Sequence, residues 1–356
     1  MSKRELPTVV LHNKRKPLIS FKIDKTEIVQ IVKVIEKNKE FLPLALHSEN
    51  LTLENLQTWF NKRLIPKERE NRGYVLENHQ YFLKTYRNFF SLSDQYWVKV
   101  NTNDRWSKLN FFDNDYCEEV GKAFFGDWEV DLDKAKEVYS LEGDPENWDT
   151  SSIVSFSPDL TTNGILIKKW KKEGDASYLY KGSGINIDQE PLSEVLASMV
   201  LKQLNLLDCV EYSLVIESLQ ICSKCKNFIT RDTEFVPAMH IIKLFERRIE
   251  RRKNEDLMHF FIRCCNEYGI DGAEDYINKM VYCDYVIGNN DRHLGNFGFI
   301  RDANTAEIIG FAPLFDSGSA FQTKSNQKKE QIVYFSEENK KEAIKYVEKK
   351  YKNKLP

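Results

Sequence analysis

An Asp and an Asn five positions apart, followed by a second Asp before Ser-Gly, constrain this chain more than any other feature of its sequence. Asp291 and Asn296 form the pair, in Asn-Asn-Asp-Arg-His-Leu-Gly-Asn, and Asp316 opens the later Asp-Ser-Gly. One carboxylate can accept the proton of an attacking hydroxyl, while an amide and a second carboxylate hold Mg²⁺ against nucleotide phosphates. The spacing therefore predicts a phosphoryl-transfer site with Asp291 as the base and Asn296 and Asp316 as metal ligands.

The segments around these residues predict the elements that would position them. Residues 273–287 carry apolar side chains at helical spacing, and Gly288 marks the end of that helix. The runs 297–300 and 307–311 flank a polar turn and predict a β-hairpin ahead of Asp316. Any one of these short polar motifs alone would most often be a simple turn, but their joint occurrence in this order favours the site.

The residues next to the predicted base distinguish this loop from that of ordinary protein kinases. Protein kinases use the same Asp-x4-Asn spacing and place their metal-binding Asp in an Asp-x-Gly turn. Here the basic pair Arg292-His293 follows the Asp instead of preceding it. Both residues are predicted to support the loop, and Asp291 is better placed than His293 to act as the base.

A strand that ends on Lys and a helix that carries Glu predict the other half of the site. Residues 177–181 alternate as in a strand, and residues 191–204 have apolar side chains at helical spacing. A kinase-type site needs a Lys that contacts the α/β-phosphates and a Glu that holds this Lys in place. Lys181 and Glu194 are the candidates, with Glu190 as an alternative partner. Replacing Lys181 by Ala is expected to reduce activity and leave the fold intact.

A polar turn between two β-rich runs predicts a cover for the phosphates. The runs are 153–156 and 165–170, and the turn between them contains Thr161, Thr162 and Gly164. Backbone N–H groups and the two hydroxyls would face the phosphates. The turn is not a Walker loop, because the sequence contains no Gly-x4-Gly-Lys-Ser/Thr.

A further strand-like segment, 234–237, predicts a hinge between two lobes. Backbone groups of Glu234 and Val236 would there hydrogen-bond the adenine ring of ATP. Together with Lys181, Glu194 and the turn described above, these residues complete the predicted ATP-binding set.

Composition and charge indicate an ordinary soluble globular protein. The 356 residues are 41% hydrophobic and 30% charged, and the formal net charge is −2, which argues against direct nucleic-acid binding. No apolar run reaches the length of a membrane span, and the N-terminus lacks the apolar core of a signal peptide. The seven cysteines are odd in number and scattered, as in proteins of a reducing cytosol, so a cytoplasmic location without membrane attachment is predicted.

The pair Cys222 and Cys225 raises a zinc interpretation. A structural zinc site needs four ligands, and the other close pair, Cys264 and Cys265, is adjacent in sequence. Two thiols in or beside a strand are therefore the preferred interpretation.

The order of these elements predicts an α+β class and a bilobal protein-kinase-like fold, with a small β-rich N-lobe and a helical C-lobe. An extra mixed α/β region of unknown function precedes the two lobes. The linker-like segment 143–147 suggests the division into 1–149, 150–238 for the N-lobe and 239–356 for the C-lobe. The stretch after Gly318 leaves little room for the helices that usually complete a C-lobe, so substrate docking is the least determined part.

The motifs resemble those of the HipA-like kinases, bacterial and phage-borne serine/threonine protein kinases, several of which are toxins that arrest growth. The resemblance covers about residues 152–322 and implies that Asp291 is the catalytic base, that Asn296 and Asp316 bind Mg²⁺ and that Lys181 contacts ATP. The segments that carry it are Leu-Thr-Thr-Asn-Gly (160–164), Tyr-Leu-Tyr-Lys (178–181), Gln-Glu-Pro-Leu-Ser-Glu-Val (189–195), Asn-Asn-Asp-Arg-His-Leu-Gly-Asn-Phe-Gly (289–298) and Pro-Leu-Phe-Asp-Ser-Gly (313–318).

The expected function is transfer of the ATP γ-phosphate to a serine or threonine hydroxyl of a protein, with ATP and Mg²⁺ required. Autophosphorylation, a toxin role and a protein substrate with an antitoxin or regulatory partner stay open. The leading region is unlike the short N-terminal subdomain of the best-known HipA toxins, so a matched helix-turn-helix antitoxin is not implied.

Two alternatives remain. Phosphoinositide and small-molecule kinases also use Asp-Arg-His-x-x-Asn, although no basic membrane-facing patch stands out in this sequence. A nucleotide-binding interaction module without transfer activity is the other, and the presence of all three base and metal positions argues against it.

Overall fold

The described part of the chain combines antiparallel sheets with helices, which confirms a mixed fold of the α+β kind. A computed structural model describes residues 6–24, 27–47, 51–63, 88–116, 158–162, 164, 166–182, 189–217, 220–321 and 336–353. Its strands are β1 (Thr8–Asn13), β2 (Lys16–Asp24), β3 (Glu27–Val34), β4 (Tyr96–Lys99), β5 (Lys168–Glu173), β6 (Ala176–Lys181), β7 (Tyr212–Glu217), β8 (Gln220–Lys226), β9 (Thr233–Pro237), β10 (Gly298–Asp302) and β11 (Ile308–Phe311). Its α-helices are α1 (Leu53–Asn61), α2 (Trp106–Leu109), α3 (Gln189–Leu204), α4 (Ala238–Phe245), α5 (Leu257–Tyr268), α6 (Ala273–Ile287) and α7 (Glu337–Tyr351).

These strands form three antiparallel sheets within the described ranges. The orders are β3-β2-β1-β4, β5-β6-β8-β7 and β11-β10-β9. Short 3₁₀ helices occupy Glu36–Phe41, Leu44–Leu46 and Pro158–Thr161. The first sheet belongs to the leading region, and the second and third contain the predicted site segments.

In the second sheet, three residues lie side by side on adjacent strands. Its register pairs Lys181 of β6 with Lys168 of β5 on one side and with Ser223 of β8 on the other. Helix α3 packs on β7 and β8, so Glu194 on that helix faces the sheet and is buried. The strand ending on Lys181 and the helix carrying Glu194 are therefore confirmed as secondary structure.

Helices α3 to α7 share one hydrophobic core with the third sheet. Phe261 of α5 stacks on Phe299 of β10 and meets Phe297 edge to face. Helix α6 ends at Gly288, whose φ of 65° lies in the left-handed region and whose N–H bonds back into the last turn. The helix predicted for 273–287 and the hairpin predicted after Asn296 are both confirmed.

The C-terminal helix α7 docks on α6 through one carboxylate. Ser336 caps α7 in a reciprocal capping box with Asn339. Near the other end of α7, Asp275 of α6 accepts hydrogen bonds from Tyr346 (2.9 Å), Lys350 (2.8 Å) and Tyr351 (2.7 Å). The helix is thus fixed to the first turn of α6.

A buried ion pair attaches the leading region to the third sheet. Arg301 of β10 is 1% exposed and donates to Glu234 (3.0 Å), to the Tyr96 hydroxyl (3.1 Å) and to the Leu42 carbonyl (2.9 Å). Glu234 also accepts from the Asn13 side chain at 3.0 Å. Burial raises the pKa of Glu234, and the Arg301 charge opposes that shift. A buried pair with this many hydrogen bonds holds its surroundings in a single arrangement.

The leading region also holds the segment that connects the second and third sheets. This connection is 227–232, between β8 and β9. The Gln95 side chain donates to the Thr230 carbonyl (2.9 Å), and the Asn227 side chain donates to the Leu92 carbonyl (2.9 Å). Lys14 pairs with Asp232 at 2.6 Å. The leading region therefore contacts the connection between the second and third sheets, and Tyr180 and Cys222 of the second sheet share a hydrophobic cluster with the first sheet.

The segment predicted as a hinge, 234–237, lies in a strand of the third sheet. These residues form β9, in which Glu234 pairs with Arg301 and Val236 pairs with Phe299. On the other edge of β9, the Phe235 N–H donates to the Ser93 carbonyl at 2.9 Å. The sequence pattern identified a real strand, but the strand lies inside the third sheet and the connection precedes it.

The first strand of the phosphate-covering hairpin, 153–156, and the linker 143–147 lie outside the described residues. The second run begins its strand at Lys168 rather than at residue 165, and its partner is β6.

Cys222 and Cys225 lie buried in β8, as the strand interpretation predicted, and Cys264 and Cys265 lie buried in α5. Across the described ranges, no group of three or more His, Cys, Asp or Glu side chains could hold a metal ion. No helix in this part of the chain is both long enough and apolar enough to cross a membrane.

Candidate active site

The centre of the site is a buried lysine between two carboxylates. Lys181 Nζ donates to Glu194 Oε1 and to Asp316 Oδ1, the latter at 2.6 Å. Lys181 is 4% exposed and Glu194 is 1% exposed. Burial disfavours the ammonium, but the Asp316 and Glu194 carboxylates outweigh burial and raise the pKa of Lys181 above its ordinary value. One cation thus joins β6, α3 and the turn that follows β11.

Glu194 is held on its second oxygen by a hydroxyl. Ser223 of β8 is fully buried and donates its Oγ hydrogen to Glu194 Oε2. Both carboxylate oxygens of Glu194 therefore have a partner, one charged and one neutral. Hydrogen bonds to a charged group are stronger than those between neutral groups, so this contact restrains the carboxylate in front of Lys181.

Replacing Ser223 by Ala is expected to reduce activity about tenfold, because a hydrogen bond to a charged group is worth roughly 1.5–3 kcal/mol. The loss should appear as a raised KM for ATP, since Glu194 acts by holding Lys181. Steady-state kinetics of the purified variant measure it. Ser177→Ala is the control, because Ser177 is also a partly buried serine of this sheet but bonds Tyr116 instead. Equal kinetics for Ser223→Ala and wild type would contradict this role.

Asp316 occupies a strained backbone position beside the lysine. Its φ is 60°, in the left-handed region that residues other than Gly rarely adopt. The positive charge of Lys181 holds the pKa of Asp316 below its usual range against the effect of burial, and Lys168 adds to this. The side chain remains 41% exposed. An ionised carboxylate therefore faces an accessible space.

The loop 291–296 is closed by its own hydrogen bonds. The Asn296 side chain donates to the Asp291 carbonyl (2.9 Å) and accepts from the His293 N–H (2.9 Å). His293 Nδ1 accepts from the Gly295 N–H at 3.0 Å. The Asp-x4-Asn spacing is what lets the Asn amide reach back to the Asp backbone. Asn296 thereby fixes the position of Asp291, and His293 stiffens the turn between them.

Arg292 connects this loop to α6 and to the Asp316 turn. It is 3% exposed and forms a two-pronged pair with Asp284 of α6, with both N–O distances 2.9 Å. Another guanidinium nitrogen donates to the Phe315 carbonyl (2.7 Å) and to the Asn296 carbonyl (3.1 Å). The planar guanidinium suits such a junction because its donors point in fixed directions. One side chain thus links the loop that carries Asp291 and Asn296 to the carbonyl that precedes Asp316.

Asp291 and Asp316 are close enough to affect each other's ionisation. Burial raises the pKa of Asp291, and the Asp316 charge raises it further, while His293, Arg292 and Lys181 oppose the shift. Asp316 is therefore kept ionised, and the pKa of Asp291 is brought nearer to the working pH. This division suits a metal ligand beside a general base.

The donor set fits Mg²⁺. Magnesium prefers hard oxygen ligands, usually one or two protein side chains with substrate phosphates and waters completing the shell. Asp316 supplies an ionised carboxylate, and Asn296 Oδ1 has a second lone pair beyond the one that accepts the His293 N–H. No third protein acid is needed for such a site.

Lys168 is a functional candidate that sequence reasoning missed. It is buried, lies opposite Lys181 in the sheet, and its charge lowers the pKa of Asp316. Gly164 has a φ of 101°, and a Cβ there would overlap the Lys168 ammonium. The signal was present in the sequence as a Gly four residues before a Lys, but no known loop pattern contains it.

The hydroxyls of Thr161 and Thr162 are engaged away from Lys181. Thr161 Oγ1 donates to the Phe90 carbonyl at 2.7 Å, and Thr162 Oγ1 donates to the Pro158 carbonyl at 2.7 Å while accepting from Trp170. Each hydroxyl proton is used within the protein in this arrangement, and the role of Thr161 and Thr162 as phosphate-binding hydroxyls stays a prediction. Gly164 does lie beside the site, through Lys168.

Glu234 and Val236 are likewise not brought to the lysine cluster. The Glu234 side chain belongs to the Arg301 ion pair, and Val236 is buried in β9. Ser223 was missed because it is an ordinary polar residue whose partner, Glu194, is 29 residues away, whereas Asp284 pairs with Arg292 only 8 residues further on and was simply not singled out. The only sequence signal for Asp284 is an acid on the apolar face of α6.

These elements define a class of site: a strand lysine paired with a helix glutamate, and an Asp-x4-Asn loop facing a second Asp. That combination is the residue set of protein-kinase-type phosphotransferases.

Comparison with known proteins gives a similarity to one such enzyme. Over 109 residues the chain is 28% identical to the serine/threonine-protein kinase CtkA of Helicobacter pylori (strain J99), covering 30% of this chain and 33% of that protein. The match therefore spans about a third of the relative's length. The crystal structure of this proinflammatory kinase aligns at 25% identity over 43% of this chain and 55% of that one, with a TM-score of 0.37, too low to establish a common fold. No family model matches the chain.

Proposed function

We propose that this protein is an ATP-dependent kinase that transfers the γ-phosphate to a serine or threonine hydroxyl of a protein. The observation that carries the proposal is Lys181 held between Glu194 and Asp316, with Asp316 electrostatically coupled to Asp291. Four separate parts of the chain converge on this arrangement. The similarity to a serine/threonine kinase supports the same assignment.

The lysines bind and orient the nucleotide in this proposal. Lys181 contacts the α/β-phosphates, and Glu194 keeps its ammonium in place. Lys168, opposite Lys181, supplies a second positive charge to the phosphates. Asp316 and Asn296 hold Mg²⁺, which neutralises charge on the phosphate oxygens when it is bound.

Asp291 accepts the proton of the attacking hydroxyl. Burial and Asp316 raise its pKa, and a base whose pKa lies nearer the working pH takes up a proton more effectively. Arg292 and Asn296 keep the Asp291 backbone fixed relative to Asp316. The alignment of hydroxyl, phosphate and base is the main contribution that a protein makes to phosphoryl transfer.

The bilobal kinase architecture and the HipA-like family belong to the same proposal. The second sheet with α3 corresponds to the N-lobe, and α4 to α7 with the third sheet correspond to the C-lobe. A growth-arresting toxin role, known for several HipA-like kinases, is tested by expression of wild type and Asp291→Asn in bacterial cells. Arrest by wild type alone supports it, and equal growth of both strains contradicts it.

Replacing Lys168 by Met is expected to raise the KM for ATP about tenfold, because loss of one charge-assisted phosphate contact costs roughly 1.5–3 kcal/mol. Steady-state kinetics with varied ATP measure the effect. Lys171→Met is the control, since Lys171 lies on the same strand but pairs with Glu217. An unchanged KM in Lys168→Met would remove Lys168 from the nucleotide site.

The acceptor is tested by offering each acceptor class separately with labelled ATP and Mg²⁺. The arms are the protein alone, a bacterial lysate, phosphoinositide vesicles and a mixture of small alcohols and sugars. Label on protein serine or threonine supports the proposal. Label confined to lipid or to a small molecule would assign the site to the alternative kinase classes, and nucleotide binding without transfer to any acceptor would contradict an enzyme.

A further inference from the structure

Tyr212 of β7 meets several parts of the site at once. Its ring centre lies 6.0 Å from Lys181 Nζ, and its hydroxyl accepts the Asp316 N–H at 3.2 Å. Its own N–H donates to Ser198 of α3 at 3.3 Å. Tyr212 therefore lies beside the lysine through its ring, bonds the helix that carries Glu194 through its backbone and bonds the Asp316 backbone through its hydroxyl.

The Asp316 backbone needs such a partner. A left-handed conformation at a residue other than Gly costs of order 1–3 kcal/mol and persists only where the surroundings enforce it. The carbonyl before Asp316 is held by Arg292, and Gly318 after it lies next to α3, where a Cβ would be in van der Waals contact with Glu190 and Glu194. Between these two anchors, the Asp316 N–H is directed by the Tyr212 hydroxyl.

We propose that Tyr212 is a positioning residue that fixes the Asp316 turn, so that one Asp316 oxygen stays on Lys181 and the carboxylate stays available to Mg²⁺. This inference rests on the proposed function, because it assigns a role in metal and nucleotide binding. The hydroxyl, and not the ring, does this positioning, because the ring would keep its contact to Lys181 if the hydroxyl were removed.

The hydroxyl suits this task because its oxygen has a lone pair that accepts the Asp316 N–H at 3.2 Å.

Tyr212→Phe tests the proposal, with Mg²⁺-dependent binding of a non-hydrolysable ATP analogue measured by calorimetry. We expect the half-saturating Mg²⁺ concentration to rise about tenfold, because a misplaced Asp316 binds the ion less well. Binding of the analogue without Mg²⁺ should stay within about twofold of wild type, since Lys181 remains in place. Asp316→Asn removes the carboxylate and therefore shows the largest rise in the half-saturating Mg²⁺ concentration that its misplacement could cause.

Two further variants separate positioning from general damage. Tyr346→Phe removes a hydroxyl that bonds Asp275, far from the site, and should leave the Mg²⁺ requirement unchanged. Ser198→Ala removes the acceptor of the Tyr212 N–H, so it should lower Tm without changing the Mg²⁺ requirement. If Tyr212→Phe changes only Tm, as Ser198→Ala does, the positioning role is contradicted.

The failure of this inference and that of the proposed function give different results. A wild-type protein that binds no Mg²⁺-nucleotide and transfers no phosphate overturns both. A wild type that transfers phosphate, with a Tyr212→Phe variant of unchanged Mg²⁺ requirement, overturns the role of Tyr212 alone.

Discussion

Replacing Asp291 by Asn is expected to reduce phosphoryl transfer by ~100-fold or more and at the same time to raise Tm. The activity falls because the amide cannot accept a proton, and general-base catalysis contributes typically 10²–10⁴-fold. The stability rises because the ionised carboxylate is partly buried beside Asp316. Transfer assays with labelled ATP and thermal unfolding at pH 7 measure the two effects.

The sign of the stability change follows from the direction of the pKa shift. Folding raises the pKa of Asp291 above its value in the unfolded chain, so the contribution of this group to stability is present at low pH and lost as the pH rises through the raised pKa. At neutral pH the charged form therefore costs stability, and Asn removes the cost. The advantage of Asp291→Asn over wild type should shrink as the pH is lowered.

Asp316→Asn is the matched variant with the opposite sign. Lys181 lowers the pKa of Asp316, so its contribution to stability is present above the ordinary Asp pKa and lost as the pH falls through the lowered value. We expect this variant to be inactive and less stable than wild type at pH 7. If both variants shifted Tm in the same direction, the assignment of Asp291 as the repelled acid and Asp316 as the paired acid would be wrong.

Replacing Lys181 by Ala is expected to reduce activity roughly 100-fold, as losses of single electrostatic groups at active sites do. It should also destabilise the fold, by roughly 3 kcal/mol, because removing one partner of a buried ion pair leaves the other charge uncompensated. This value lies at the low end of the range for a broken buried ion pair, because the Asp316 side chain is 41% exposed. The sequence alone suggested an intact fold, and the burial of Lys181 changes that expectation.

A second substitution separates the two consequences of losing Lys181. Adding Glu194→Gln to Lys181→Ala neutralises the carboxylate that Ser223 still holds, so part of the lost Tm should return while activity stays absent. Chemical denaturation and the transfer assay together measure this. Full activity of Lys181→Ala would refute the assignment of the nucleotide lysine, and wild-type stability would refute its role as the shared counter-charge.

The sequence predicted the strands and helices around Lys181 and Asp291 because its signals there are local. An Asn five residues after Asp291 can reach back to the loop backbone, and a Gly at the end of a periodic apolar segment ends a helix. Lys181 and Glu194 were placed on the correct strand and helix by periodicity alone. In each case the residues that determine the structure lie within about one helix length of each other.

The features that the sequence did not predict depend on contacts between residues far apart in sequence. The Thr161 hydroxyl bonds Phe90, and Glu234 bonds Arg301 and Asn13, so neither could be assigned from its neighbours in sequence. In the sequence, Tyr212 does not differ from any other strand tyrosine. Only the structure shows that its hydroxyl accepts the Asp316 N–H. Polar residues with such partners carry no periodic pattern, and this is why their contacts could not be predicted from the sequence.

The leading region shows the same limit most clearly. Its first sheet places β4 next to β1, with about 80 residues of chain between them in sequence, and no local signal predicts that pairing. The structure gives the region a physical role, since it holds Arg301, Glu234 and the connection between the second and third sheets. A fixed relation between those sheets is what keeps Lys181 within reach of Asp316.

The most direct test of the central claim is the transfer of γ-labelled phosphate from ATP in the presence and absence of Mg²⁺. The assay compares wild type with Asp291→Asn, Asp316→Asn and the control Asp271→Asn, which changes an exposed Asp outside the site. We predict Mg²⁺-dependent label on protein for wild type and Asp271→Asn, and its loss in the two site variants. Equal labelling by all four proteins, or no transfer by the wild type, would contradict the account.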